Sequence, residues 1–443
     1  MEQSSDSDGD NSIGKIDPDD LPHEDLEDEK EEEIINVRKL SGEELLKEIK
    51  FDYVKKLDKT KNLKEQALVI LKDIRDKELP FPLIRYSYNK DFVFKARNRL
   101  LKYKPELIER IHQEIKGHQG TWWLPNSFRG KPIQFVTKHN DWWKIDVVID
   151  YFTEYERIRA KKIYDKSMEN DWYDDSKLLK AIINCANRGE VNAMNLRDSM
   201  FYIGRELSLF RVTKTKSFLA EILCPADGNY KGLRWLDISA GWGDRVFTAC
   251  TLGMDYLGFD PNTELKLGHD EIISLIGNAE NQKIIYEPFE RCEALINEDA
   301  AKNGLFDVCL CCPPFFDIEI YNGQNQSIQS FPLFDDWLVE FLFKSISIVW
   351  NNLKDGGYFA INIANIKNCD IVSPMQLFIE DLMERASWEG IIMFSSKGTQ
   401  TAPGALYVWK KEKINLPINR WNPNVKRSLK NSFPTLYYKW LNH

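Results

Sequence analysis

No run of eighteen consecutive apolar residues occurs in this chain, which speaks against a membrane-spanning helix. The opening Met1-Glu2-Gln3-Ser4-Ser5-Asp6 has neither the basic nor the apolar stretch of a secretory signal, so an intracellular protein, cytoplasmic or nuclear, is expected. Histidine is scarce, at six residues, and the cluster Cys309-x-Cys311-Cys312 has no second cysteine or histidine pair at ligand spacing. A closed four-ligand zinc set is therefore not expected, and no metal site is assigned. The eight cysteines show no regular spacing and read as reduced thiols, with Cys309 to Cys312 serving as small apolar residues of a buried strand. No internal repeat is present.

What the chain does have is length, apolar content and an uneven charge. Its 443 residues, 43% of them hydrophobic, are enough for two or three units with real cores. The formal charge of −9 divides sharply: residues 1–33 hold fifteen acidic side chains against two lysines, and residues 34–443 hold 58 basic and 54 acidic ones. The acidic segment 1–40 is too poor in large apolar groups to offset its ordering entropy and reads as a disordered tail. The remainder is mildly basic, which leaves a nucleic-acid partner open.

Segment 41–190 reads as mainly helical. Ser41-Gly-Glu-Glu44 has capping-box form, and apolar periodicity predicts further helices near 63–77, 91–103, 106–117, 150–159, 176–187 and 193–209. Residues 55–116 carry 17 Lys and Arg against 9 acidic residues. Between 119 and 163, Trp122-Trp123 and Trp142-Trp143 are interleaved with Arg129, Lys131, Lys138, His139 and Lys144. Cations beside aromatics suit base stacking and phosphate contact, although tryptophan pairs equally serve as core anchors. The segment is accordingly a candidate substrate-binding domain.

From 191 to 411 the pattern becomes strand, turn, helix, repeated. Strands are predicted at 233–238, 255–260, 282–286, 306–312, 357–364, 389–396 and 404–411, with helices between the first six. This alternation implies an α/β fold with a mostly parallel sheet covered on both faces. The last two strands have no helix between them and are expected to form an antiparallel hairpin at one edge. Residues 412–443 lose periodicity and read as a basic tail, carrying Lys413, Arg420, Lys426, Arg427, Lys430 and Lys439 with Glu412 as the sole acid.

Three motifs stand at strand ends. The first strand runs into Asp237-Ile-Ser239-Ala-Gly241-Trp-Gly243, where glycines permit a tight turn and close approach to a ligand at the carboxyl edge of the sheet. The second ends in Asp260-Pro261-Asn262, and a carboxylate there can accept from both hydroxyls of a ribose. The fourth ends in Cys312-Pro313-Pro314-Phe315-Phe316. Two prolines fix a rigid, non-helical exit that turns the Pro313 carbonyl toward the cleft.

With these motifs in this order, residues 195–411 resemble the class I S-adenosylmethionine-dependent amino-methyltransferases of the Asp/Asn/Ser-Pro-Pro-Tyr/Phe/Trp group. The stretch Pro313 to Tyr321 is similar to methylases of bacteriophages and large DNA viruses. The resemblance implies a Rossmann-like methyltransferase sheet, S-adenosylmethionine as cofactor, and DNA or RNA as substrate, with adenine N6 as the methylated amine. It further implies cofactor contacts at Asp237, Ser239, Gly241, Gly243, Asp260, Pro261 and Asn262, and catalysis at Cys312, Pro313, Pro314 and Phe315. Phe315 would stack on an extruded base while acceptors hold the two amine protons. By the same resemblance, Phe210 to Ser217 stands where the group places an element beside the cofactor methionine.

One position departs from the pattern. Cys312 occupies the place of Asp, Asn or Ser, and a thiol is a weak acceptor. Either a nearby acid, Asp317 or Glu319, supplies the acceptor, or the thiol and a main-chain carbonyl suffice, or the chain is a nucleic-acid-binding subunit that pairs with an active methyltransferase. A thiolate nucleophile, as in ring-carbon methylation, is a fourth reading, in which proline would precede the cysteine. The polar loop from Tyr321 to Pro332 is either a cover for the target base or a surface insertion.

Overall fold

The computed structural model describes residue 51 and residues 53–111, 134–138, 145–162, 166–204, 207–225, 227–366, 368–395, 405–420 and 428–443. The acidic tail, the Ser41 capping box, the two tryptophan pairs with Arg129, Lys131, His139 and Lys144, and Lys426 and Arg427 lie outside the described residues.

Among the described residues, nine strands build the main sheet: β1 (Glu106–Ile111), β2 (Gln134–Lys138), β3 (Arg234–Asp237), β4 (Asp255–Phe259), β5 (Gln282–Ile285), β6 (Phe306–Cys311), β7 (Leu353–Asn362), β8 (Ala386–Ser395) and β9 (Leu406–Lys411). Their order across the sheet is β1-β2-β8-β9-β7-β6-β3-β4-β5. The five pairings that run from β7 through β6, β3 and β4 to β5 and from β2 to β8 are parallel, whereas β9 is antiparallel to both β7 and β8. The seven expected strands are all present, in the Rossmann-like α/β arrangement that the resemblance implies.

Two expectations are corrected. Residues 106–111, read as the start of a helix, form strand β1, antiparallel to β2. Their apolar positions can serve either period over so short a run, and pairing with β2 decides for the strand. The β8–β9 pair is antiparallel as expected but does not close the sheet, because β8 also pairs with β2, Ile391 opposite Gln134 through Ser395 opposite Lys138. The N-terminal segment thus extends the sheet beyond its expected edge.

Alternation along the strands separates two cores. On β6, Cys309 and Cys311 face one core with Phe359, Ile361 and Trp409, while Val308 and Leu310 face the other with Trp235, Ala360 and Val408. Both faces are covered, as a parallel sheet requires. The cysteines are buried apolar filler on one face, which accounts for their spacing of two.

Among the described residues the longer α-helices are α1 (Leu63–Asp76), α2 (Lys90–Lys102), α3 (Asp150–Arg159), α4 (Met168–Tyr173), α5 (Asp175–Cys185), α6 (Ala193–Ile203), α7 (Val212–Leu223), α8 (Asp244–Leu252), α9 (Lys266–Ile276), α10 (Glu293–Asn303), α11 (Lys344–Asn352), α12 (Val372–Leu382) and α13 (Pro434–Leu441). A third core lies among α1, α4, α5 and α6, around Ile70, Trp172, Ile182 and Met200. Helix α3 joins this core through Ile158 and the sheet's second core through Tyr151. A buried ionic cluster fixes it: Arg157 and Arg197 donate to Asp150 at 2.6 and 2.5 Å, and Arg197 also donates to Glu154 at 2.5 Å.

The C-terminal segment does not remain a loose basic tail. Leu429 and Leu436 are buried in the first core, α13 begins with Pro434 in its first turn, Arg420 pairs with Asp381 at 3.2 Å, and Lys439 pairs with Asp336.

Candidate functional site

The site forms where the carboxyl ends of β4, β3, β6 and β7 stand side by side. This is the point at which the sheet's connections reverse, the usual ligand crevice of an open α/β sheet.

Strand β3 delivers Asp237, which is fully buried. Its Oδ2 accepts from Arg245 Nε at 2.6 Å and from the Tyr256 hydroxyl at 2.7 Å, and its Oδ1 accepts from the Ser239 main-chain N–H at 3.2 Å. Arg245, on the first turn of α8, also donates to the Ser239 carbonyl and lies 5.1 Å from the Phe210 ring centroid. Burial raises the Asp237 pKa even against the pull of Arg245. Asp237 therefore shapes the turn from beneath. Ser239 sits on that turn with a buried hydroxyl that has no hydrogen-bond partner among the described residues.

The glycines turn the chain between β3 and α8 with φ of +60° at Gly241 and +108° at Gly243, angles that cost a side-chain-bearing residue strain. Gly243 also has no room: a Cβ there would stand 2.7 Å from Ile272 Cδ1 on α9. The turn is braced from two further sides. His269 of α9 donates through Nε2 to the Gly241 carbonyl at 2.8 Å and accepts through Nδ1 from the Tyr286 hydroxyl at 3.0 Å. Burial pushes His269 down to about 4, which keeps the ring neutral. Thr153 of α3 donates to the Trp242 carbonyl at 2.8 Å.

Asp260, at the end of β4, points back at this turn. Its Oδ2 accepts from Gly241 N–H at 2.8 Å and its Oδ1 from Asn262 N–H at 3.0 Å. Burial pushes its pKa up to about 6. Asn262 is occupied in capping the short turn Thr263–Leu265 through Glu264 N–H at 3.2 Å, and Pro261 lies half-buried between the two.

Strand β6 delivers Cys312-Pro313-Pro314-Phe315. Cys312 Sγ donates to Asn362 Oδ1 of β7 at 3.5 Å. Desolvation pushes its pKa up to about 12, although Arg245 and Lys214 pull it down, so the thiol is protonated at neutral pH and the thiolate-nucleophile reading loses its physical basis. Phe315 is half-buried and packs against the first core, whereas Phe316 is buried with φ +56°, its ring 5.3 Å from Phe334 and 5.7 Å from Trp337. Of the two candidate acids, Glu319 acts on the Cys312 thiol and accepts from the Tyr321 hydroxyl at 2.7 Å, whereas Asp317 acts on Cys369.

The loop after Tyr321 is built by Gln326, which donates to the Tyr321 and Gly323 carbonyls at 2.5 and 2.8 Å and accepts from Tyr321 N–H at 3.1 Å. It lies on the site: Tyr321 meets the Trp242 ring edge-on at 5.7 Å, a Cβ on Gly323 would stand 2.7 Å from Asn262 Oδ1, and Asn322 donates to the Glu156 carbonyl at 3.0 Å. Glu319–Ile320 pairs antiparallel with Lys161–Lys162, tying this loop to the segment after α3.

The tract Phe210 to Ser217 opens α7. Arg211 takes φ +75° and its N–H donates to Asp244 at 2.8 Å. Lys214 lies 4.6 Å from the Phe210 centroid and 5.4 Å from that of Phe218, and burial pushes it down to about 8.

Sequence reasoning assigned no role to Arg245, His269 and Asn362, while Lys214 lies inside the tract from Phe210 to Ser217 that the resemblance singles out. His269 and Asn362 had a signal, a polar residue inside an otherwise apolar pattern: His269 shares a helical face with Ile272 and Ile276, and Asn362 follows Phe359-Ala-Ile.

No protein-family model matches the sequence, and no curated protein matches it. Solved structures similar to part of the chain include an rRNA methylase from Streptococcus thermophilus, 14% identical, covering 46% of this chain and 100% of that one with a TM-score of 0.32. Magnesium protoporphyrin IX methyltransferase from Synechocystis is 12% identical, with coverage of 45% and 79% and a TM-score of 0.32. A methyltransferase from Agrobacterium tumefaciens is 13% identical, with coverage of 47% and 65% and a TM-score of 0.33. What these proteins bind and methylate is a property of those proteins.

Proposed function

We propose that the chain transfers a methyl group from S-adenosylmethionine to an exocyclic base amine of nucleic acid, adenine N6 in DNA or RNA. The observation that carries this reading is the convergence of three features on adjacent strand ends: an unpartnered buried Ser239 hydroxyl, a buried Asp260 carboxylate, and the rigid exit Cys312-Pro-Pro-Phe315.

These residues fit the cofactor. Ser239 has an unused donor beside the glycine turn, and Asp260 retains acceptor capacity for ribose hydroxyls. When bound, S-adenosylmethionine supplies an electrophilic methyl group. The chain's own work is to hold and orient the amine. Its lone pair is conjugated with the base ring, so acceptors at Cys312 and the Pro313 carbonyl would hold its two protons and turn the lone pair toward the cleft. Phe315 would hold the base face. Positioning and electrostatics supply the rate, and no covalent intermediate on the protein is needed.

The nucleic acid would be held outside the sheet. Helix α2 exposes Lys90, Lys95 and Lys102 beside exposed Phe94, cations and an aromatic suited to a single strand. Segment 41–190 would form the substrate-binding part and 191–411 the methyltransferase part. Several cations of the basic segments are instead spent on structure, among them Arg75 with Asp175, Arg85 with Glu271 and Arg420 with Asp381.

The test is incubation with labelled S-adenosylmethionine and separate pools of DNA, capped RNA and uncapped RNA, followed by nucleoside mass spectrometry. The expected product is N6-methyladenine in one pool. Cofactor binding without label in any pool would overturn the reading and favour a nucleic-acid-binding subunit that partners an active methyltransferase.

A further inference from the structure

The thiol at position 312 and the amide at position 362 are brought together by the sheet. Strands β6 and β7 are parallel with Cys311 opposite Ile361, so the next residues, Cys312 and Asn362, emerge side by side at the carboxyl edge. Asn362 is only 4% exposed. Its Nδ2 donates to the Ala405 carbonyl at 2.8 Å, which fixes the amide with Oδ1 turned to Cys312 Sγ at 3.5 Å.

An amide oxygen can only accept, and a thiol has one proton. That proton is therefore directed at Asn362, away from the cleft. A sulfur whose hydrogen is committed can present only lone pairs to a further partner, and the partner it suits is an N–H donor. A buried Asn362 without the thiol would have an unused acceptor, and a thiol without Asn362 would be free to rotate its hydrogen into the cleft, where it would oppose an incoming amine.

We infer that Asn362 is a positioning residue that holds the Cys312 proton, so that the sulfur accepts an N–H of the amine to be methylated. The inference rests on the methyl-transfer reading and deepens it: the Cys312–Asn362 pair does together what a single carboxylate or amide does at that position in the group the sequence resembles. No bond to sulfur forms or breaks and no proton leaves the thiol. The burial that keeps Cys312 protonated is what the device requires. The amine's other N–H remains for the Pro313 carbonyl.

The test uses the full chain and two independent readouts. The difference infrared spectrum of wild type against Cys312→Ser isolates one S–H stretch among eight cysteines. Asn362→Leu should move that band to higher frequency, because the S–H bond stiffens when its acceptor is removed. An unmoved band overturns the inference. In the labelled-methyl assay, Asn362→Leu should lower kcat by about 10-fold to 100-fold, the usual range for a group that orients a reacting ligand, with KM for S-adenosylmethionine unchanged. In a Cys312→Ala background it should cost nothing more, whereas additive losses would show that Asn362 acts elsewhere and overturn it. If Asn362→Leu fails to fold, the comparison of Cys312→Ser with Cys312→Ala decides. Serine also donates to Asn362 and accepts from an amine, so it should retain turnover that alanine loses, and equal turnover overturns the inference. A wild-type protein that transfers no label while its S–H band shifts as expected would overturn the acceptor role together with the methyl-transfer reading and leave the hydrogen bond alone standing.

Discussion

Arg245 donates through Nε to Asp237 Oδ2 at 2.6 Å, in a place where both side chains are buried. The acid that precedes the glycine turn is thereby committed to an arginine eight positions later and to Tyr256. Removing one partner of such a pair strands the other charge, at a cost of about 3–5 kcal/mol, whereas neutralising both costs less. Arg245→Met should lower the unfolding free energy by that amount, read as a fall in the urea midpoint, and Asp237→Asn with Arg245→Met should recover part of it at an unchanged m-value. Asp237→Asn alone should reduce S-adenosylmethionine affinity far less than Asp260→Ala does. Equal losses in calorimetric titrations would return Asp237 to direct contact with the cofactor.

Asp260 makes binding sensitive to acid. Burial holds its pKa at about 6, and a protonated carboxyl loses an acceptor that ribose hydroxyls need. Affinity for S-adenosylmethionine should be flat above pH 7 and fall below pH 6, approaching roughly tenfold per pH unit. Asp260→Asn should remove the pH dependence and Asp260→Ala should abolish binding. Asp244, also raised to about 6 by burial, is tested by Asp244→Asn, which should leave the acid limb in place. The sign for stability is opposite. A carboxyl whose pKa is raised on folding binds its proton more tightly in the folded state, so these two acids favour the fold as pH drops from about 6 toward the ordinary carboxylate range. A loss of affinity at pH 5.5 with an undiminished thermal midpoint distinguishes protonation from unfolding.

The strands were legible because apolar residues in short runs between glycine turns have few alternatives in a parallel sheet. Phe306-Asp-Val-Cys-Leu-Cys could hardly be placed elsewhere. Residues 106–111 were not, since Leu107 and Ile111 satisfy a helical spacing as well as a strand, and the deciding contact, with β2, comes from a distant part of the chain. In the site, the residues on strand ends were readable because the backbone itself places them. Asn362, His269 and Arg245 act through side chains that reach across from other elements, and which polar residue in an apolar run reaches the site depends on register, which sequence spacing does not contain.

Gly243 is held by two independent constraints, a φ of +108° and the approach of Ile272. Gly243→Ala should destabilise by about 1–3 kcal/mol from the backbone alone, with the steric contact adding to it. Shortening the neighbour separates the two: Gly243→Ala with Ile272→Val should recover the packing part and leave the backbone part. Full recovery in the double variant, read by denaturant midpoints against Ile272→Val alone, would show that the left-handed turn carries no cost.

Adjacent phenylalanines after the two prolines have opposite duties. Phe316 is buried against Phe334 and Trp337, with its backbone in the left-handed region, so truncation to alanine should cost about 3–5 kcal/mol, as for other buried phenylalanines. Phe315, half-buried against the first core, should lose less stability on truncation than Phe316 does, retain S-adenosylmethionine affinity, and lose methyl transfer. The contrast tests the site and the fold at once. Because Phe316 anchors the residue after Phe315 in the core, Phe316→Leu, which does not keep the ring contacts, should lower transfer as well as stability, whereas Phe315→Leu should lower mainly transfer. Equal transfer by wild type and Phe315→Ala would remove Phe315 from the acceptor site, and an unchanged urea midpoint for Phe316→Ala would remove Phe316 from the core.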